Sequence, residues 1–130
     1  MDLHELPFAK IIVLDKNLAE VLIDQGVEMN TAMVAAYHDF LLTHLQAPFS
    51  LLINKINAYT YDFEAQGSLA TLEQINAMAV VTYNRISMIS TESLAAMPRS
   101  KEWNLRIFSD RDEALAWLRS EQIRVAAAAG

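Results

Sequence analysis

The chain has 130 residues, the length of one domain able to bury its own core. Hydrophobic residues make up 53% and charged residues 20%, which excludes a disordered or fibrous polymer. Sixteen acids against ten bases give a net charge of −6 and argue against a nucleic-acid face, while the lack of cysteine excludes disulfides, thiol catalysis and thiolate metal sites.

The apolar run 8–14 is interrupted by Lys10 and closed by Asp15. It is too short to span a bilayer, and no small-residue cleavage site follows it. A cytoplasmic protein without membrane insertion is therefore expected. Ile11, Ile12, Val13 and Leu14 predict a first strand, and Val21, Leu22 and Ile23 a second. The turn formers Asp15, Lys16 and Asn17 predict that the two pair as an antiparallel hairpin. Asn30 has the side chain of a helix N-cap. Met33, Tyr37, Phe40, Leu41 and His44 recur at spacings of three and four, so they form the inward face of the first helix, which Pro48 ends. Val34, Leu42 and Leu45 lie beyond that stripe and would cover the sheet or form a dimer seam.

Residues 49–56 alternate as a third strand, and a polar and aromatic loop follows to Gly67. Ser68 would cap a short helix reaching Gln74. The continuously apolar run 77–81 predicts a central strand covered on both faces. Asn84 would cap a helix that turns Ile86, Ile89, Leu94 and Met97 inward and ends at Pro98. Trp103, Leu105 and Ile107 alternate with Asn104, Arg106 and Phe108 in the last strand. Asp110 and Glu113 have capping-box spacing at the start of a final helix with Ala114, Trp117 and Leu118 inward. Residues 125–130 read as a disordered Ala-rich tail, which leaves 1–124 as a single domain. The order β-β-α-β-α-β-α-β-α predicts an α/β fold, a mostly parallel five-stranded sheet with an opening hairpin and about four helices.

Two stretches carry a family likeness. One is the strand and loop 51–63, with Ile53, Asn54, Asn57, Tyr59, Tyr61 and Phe63. The other is the closing strand 105–108 with the helix start Glu113, Ala114, Trp117 and Leu118. With the order of elements, they resemble the STAS domain in its SpoIIAA-like branch, over residues 8–121. The resemblance implies a non-catalytic regulatory module that binds a protein partner, or itself as a homodimer, and uses no cofactor. It also implies a phosphorylatable Ser or Thr where the third strand meets the second helix. The family's Asp-Ser-Ser-Gly pattern is replaced here by Ala65-Gln66-Gly67-Ser68-Leu69, so Ser68 is the nearest positional match and Thr60 the next. A distant similarity to the Sec14 lipid-transfer fold implies an alternative, a small-molecule or lipid carrier using the loop 57–68.

The residues themselves suggest where a ligand would sit. Ligands of open parallel sheets gather outside the carboxyl ends of the strands. Tyr59, Tyr61, Asp62 and Phe63 leave the third strand there, and Thr82, Asn84 and Arg85 leave the fourth. Together they would line a small pocket, with Arg85 as an anion contact. Plain packing of the aromatics onto the sheet is the other reading. A phosphate on Ser68 would meet the positive end of a helix, and an ordinary cap is again the alternative. His38 and His44 are six apart, not four as in a helical zinc pair, His4 lies in the N-terminal lead, and no Asp or Glu clusters near them at ligand spacing, so no metal site is expected. Three glycines cannot build a Gly-rich phosphate cradle, and no nucleophile elbow is present, so no enzyme is expected.

Overall fold

A computed structural model describes residues 1–97 and 102–129. In chain order its elements are β1 (Asp2–Leu6), β2 (Ala9–Asp15), β3 (Leu18–Ile23), β4 (Glu28–Met29), α1 (Thr31–His44), β5 (Phe49–Asn54), β6 (Thr60–Tyr61), α2 (Phe63–Ser68), β7 (Ile75–Val81), α3 (Arg85–Ala95), β8 (Leu105–Phe108) and α4 (Arg111–Ala129). Six strands form one sheet in the order β1-β2-β3-β5-β7-β8, and β4 and β6 form a separate parallel pair. The first two pairings of the large sheet are antiparallel and the other three parallel. Over the described residues the protein is therefore α/β, with a mostly parallel mixed sheet of six strands and four helices.

The turn of the expected hairpin is held by Asp15, whose carboxylate accepts from the Lys16 amide at 2.8 Å. Asn30 caps α1 by accepting from the Met33 amide, and Asn84 caps α3 by accepting from that of Ser87. At the start of α4, Asp110 accepts from the Asp112 amide at 3.0 Å.

Strand alternation gives the sheet two different faces. Ile11, Val21, Phe49, Leu51 and Met78 point to the side of α1 and α2, where Tyr37, Leu41 and Ala65 meet them. Leu18, Leu52, Ala77, Ala79 and Val81 point to α4, which answers with Ala114 and Leu118. The alanines on both sides of this second contact let α4 lie close against the middle of the sheet.

Several expectations are corrected. The sheet has a sixth strand, β1, where only a lead was read; as an edge strand it carries exposed Asp2, Leu3 and Glu5 and so gives no buried alternation. The helix expected over 68–74 lies instead at 63–68 and is capped by Asp62, because the Asp62 carboxylate reaches the Ala65 amide at 2.8 Å. Ser68 is therefore the last residue of that helix, and its hydroxyl donates back to the Ala65 carbonyl at 3.3 Å. Ile86 and Ile89 face outward, 79% and 48% exposed, and Thr91 is the buried residue of α3. Val34 and Leu45 are buried against the sheet, the first of the two readings given for them, and of the three Leu42 alone is exposed. His44 is exposed rather than part of the core face. The Ala-rich stretch is helical through Ala129, continuing α4. Pro98, read as the end of α3, lies outside the described residues.

Candidate functional site

The site begins with the register of β5. Phe49, Leu51 and Ile53 face α1 and α2, whereas Ser50, Leu52 and Asn54 face α4. Two-residue alternation sends the next residue, Lys55, to the α1–α2 side just beyond the strand's carboxyl end. There it lines a cavity of about 40 Å3 between the sheet, α1, the end of α2 and α3. The walls are apolar: Val21, Ile53, Met78 and Leu105 from the sheet, Leu69 and Ala70 after α2, Leu94 from α3, and Trp103.

The cover of the cavity is the chain between β5 and α2, held down as a strap. The Gly26 amide donates to the Ala58 carbonyl at 2.8 Å, and the Thr60 amide donates to that of Val27 at 3.0 Å. The Asp62 amide donates to the Met29 carbonyl at 2.9 Å. Asn57 and Gln25 add side-chain bonds to the Ile23 carbonyl and the Ala58 amide. Gly26 has a φ of +79°, a conformation that favours glycine and lets the chain turn from β3 to meet the strap. In the resulting β4–β6 pair, Tyr61 sits opposite Met29. Tyr59 and Tyr61 then point into the cavity beside Tyr37 of α1, the Tyr59 and Tyr61 rings meeting edge to face at 5.6 Å.

The polar groups here are not paired off. Burial raises the ionisation of the Tyr37 and Tyr59 hydroxyls well above the ordinary tyrosine range, helped by the neighbouring Tyr61. Burial also pushes Tyr61 up to about 12, against the opposing effect of Tyr59. All three stay neutral at physiological pH. The Tyr59 hydroxyl is buried with no partner in hydrogen-bonding geometry, although the Tyr61 hydroxyl is near enough to raise its pKa further. The Lys55 ammonium lies 5.4 Å from the centre of the Tyr59 ring. Burial lowers its pKa from 10.5 to about 8, with no nearby charge contributing.

Two open grooves, of about 610 and 430 Å3, flank the cavity and share Lys55, Tyr59, Thr60 and Ser90. Ile86 and Ser87 of α3 border one, and Ile89 and Ser93, farther along the helix, border the other. Among the described residues, Lys55 is the sole charged side chain lining the cavity or either groove. In a chain with sixteen acids, none faces this space.

On the opposite face, the neighbouring residue Asn54 belongs to a closed network. Glu20 is 3% exposed and takes Arg111 in two bonds, at 2.6 and 3.1 Å, and Asn54 at 2.8 Å. The Tyr83 hydroxyl donates to Asn54 at 2.8 Å. Burial alone would raise the Glu20 carboxyl, but the hydrogen bonds from Arg111 and Asn54 and the Arg111 charge together hold it below the usual range. Every partner is satisfied, so this cluster locks the start of α4 to the sheet.

A third polar group shapes the cavity wall. His38 of α1 accepts from the Ala70 amide through Nε2 at 3.1 Å, which requires its neutral, Nδ1-protonated form. The Trp103 indole donates to the Ala70 carbonyl at 3.1 Å. Ala70, with a φ of +53°, is thus tied on both sides in a left-handed turn. Burial lowers the His38 pKa below 6.5, against a smaller opposing effect of Asp39.

The residues expected at a ligand site divide accordingly. Tyr59 and Tyr61 line the cavity, and Thr60 and Asn84 border the grooves. Asp62 is a helix cap, Phe63 is 84% exposed, Thr82 is buried beside β8, and Arg85 is exposed away from the grooves. Lys55, Tyr37 and Trp103 were missed as site residues. The alternation of Phe49, Leu51 and Ile53 was the signal that placed Lys55 on this face; Trp103 gave none. Among the described residues, no three His, Asp or Glu side chains come together to hold a metal. None of the described helices is long and apolar enough to cross a membrane. No protein-family model matches the chain, and no curated protein or solved structure matches it either.

Proposed function

We propose that the protein is a small-molecule-binding module, with its site in the cavity and grooves between α3 and the strap 55–61. The observation that carries this reading is the unpaired polar chemistry of an apolar cavity: a buried hydroxyl on Tyr59 without a partner and a cation on Lys55 without a counterion among the described residues. Buried polar groups are almost always satisfied, and those left open are where a ligand supplies the missing atoms. The enclosed volume is far below the roughly 300 Å3 of a drug-sized pocket. A ligand would therefore put only one end inside and lay the rest in a groove. This is the carrier reading that the Sec14-like similarity suggests, with a smaller guest than a whole lipid.

The test is methyl-detected NMR while small amphiphiles are titrated, with native mass spectrometry of the purified protein. Shifts centred on Met78, Ile53 and Leu94 are expected. Shifts confined to exposed Ile123 and Leu3, or none at all, would refute the site.

A second reading, the regulatory interaction module of STAS type, is favoured by α3. Ile86, Met88 and Ile89 are exposed on a helix whose one buried residue is Thr91. A protein covering α3 would also close both grooves, so partner binding and ligand binding would be coupled. Neither reading includes catalytic turnover or a cofactor. Phosphorylation of Ser68 loses its electrostatic rationale at the carboxyl end of α2, where helix carbonyls disfavour an anion.

A further inference from the structure

An uncompensated ammonium at the edge of an apolar cavity is a demand for an anion. Lys55 has given up part of its hydration, yet among the described residues no carboxylate pairs with it, and its ammonium lies over the Tyr59 ring. The missing countercharge is conspicuous in a chain of net charge −6. Beside it, the Tyr59 hydroxyl is a donor with nothing to bond. A cation and a neutral donor lining the same cavity suit the two oxygens of a carboxylate. The 40 Å3 cavity has room for about three water-sized groups, walled by Met78, Val80 and Trp103.

We infer that the site binds a short aliphatic carboxylate, its oxygens on Lys55 and Tyr59 and its hydrocarbon stem in the cavity under the strap. This rests on the small-molecule reading above and names its ligand class. A stem of about three carbons fills the cavity. Longer acids would run into the grooves, whose walls are polar as well as apolar.

The charge arrangement makes binding depend on pH in a defined direction. The groups facing Lys55 are Tyr37 from α1, Tyr59 and Tyr61 from the strap, and the uncharged Ser90 and Thr91 from α3; the sheet offers only apolar side chains. The tyrosines are held neutral beyond pH 10. A carboxylic acid is ionised throughout the range above pH 6. Between pH 7 and 9.5 the proton on Lys55 is therefore the variable. It is held in the free protein to about pH 8 and more firmly once an anion sits beside it. Binding takes up a proton above pH 8, and affinity falls about 30-fold between pH 7 and 9.5 as the free protein loses it.

The experiment is calorimetric and NMR titration of the full chain with sodium butyrate at pH 7 and 9.5. 1-Butanol, butylammonium and inorganic phosphate serve as comparators, and Lys55→Met and Tyr59→Phe as variants whose folding is checked by thermal unfolding. The expected result is butyrate binding at pH 7 that shifts the Met78 methyl and weakens about 30-fold at pH 9.5. It should be lost in Lys55→Met and reduced about tenfold in Tyr59→Phe. Butanol binding as tightly as butyrate, or butyrate binding indifferent to pH and to Lys55→Met, would overturn the carboxylate assignment and leave the small-molecule reading standing. Phosphate binding as well as butyrate would overturn the role of the stem. No response to butyrate, butanol or butylammonium at either pH would overturn both.

Discussion

The two faces of the sheet handle buried polarity in opposite ways. On the α4 face, Glu20, Arg111, Asn54 and Tyr83 close on one another, and Ser50, Gln122 and Asn76 form a second closed set. On the other face, Lys55 and Tyr59 are left open around a cavity. Asn54 and Lys55 are adjacent in sequence, and strand alternation alone sends one into the closed network and the other to the open site. Polar groups that serve the fold are paired within the chain. Those left unpaired lower stability, and their persistence calls for a partner from outside.

The largest expected effect is on the closed face. Arg111→Met strands the buried Glu20 charge and should lower stability by about 3 kcal/mol in chemical denaturation at pH 7, less to the extent that Arg111 is partly exposed. The Glu20 carboxyl has a folded-state pKa below that of the unfolded chain. Its stabilisation is present above about pH 4.5 and is lost as pH falls through the folded value, so the gap between wild type and variant should shrink in acid.

On the open face the sign reverses. Lys55→Met removes a desolvated, uncompensated charge and should raise stability by about 1–3 kcal/mol at pH 7. The folded pKa of about 8 lies below the unfolded 10.5, so the wild type loses stability as pH falls from 10.5 to 8. The variant should show no such slope, and its advantage should disappear near pH 11. Equal or lower stability of Lys55→Met at pH 7 would mean that the ammonium has a partner after all.

Smaller effects follow at the cavity wall. His38 is held neutral by burial, so its contribution is present above about pH 6.5 and lost as pH falls through its lower folded value. His38→Phe strands the Ala70 amide and should reduce stability by about 1–2 kcal/mol. It should also remove the acid sensitivity seen by unfolding at pH 5 and 7. The smallest change is expected for Tyr59→Phe, within about 1 kcal/mol of wild type, because the hydroxyl it deletes bonds to nothing. A larger loss of stability would show that this hydroxyl is paired within the chain.

Much of the fold was legible in the sequence because its signals are local. The apolar run 77–81, the Asn30 and Asn84 caps and the alternation of β5 each depend on neighbours a few residues away. The errors came where one local signal stood in place of another or where distant contact decided. The sequence reading puts the cap at Ser68, whereas the Asp62 carboxylate caps α2 and starts it several residues earlier. The inward face of α3 was assigned from its isoleucines, yet the helix buries Thr91, whose hydroxyl is satisfied by the Ser87 carbonyl. At the site, Tyr59 and Tyr61 were found from their alternation in the loop. Lys55 was passed over because a lysine after a strand normally reaches water. Only the strap, tied to the β3–β4 connection far away in sequence, holds it under cover.

The most direct measurement is an NMR titration of the Lys55 side-chain amine, in protein carrying labelled lysine, without and with butyrate. The expected midpoint in the free protein is about 8, moving upward when butyrate is bound. An ordinary lysine midpoint near 10.5 in the free protein, or a midpoint that butyrate does not move, would contradict an open cationic site on this face of the sheet.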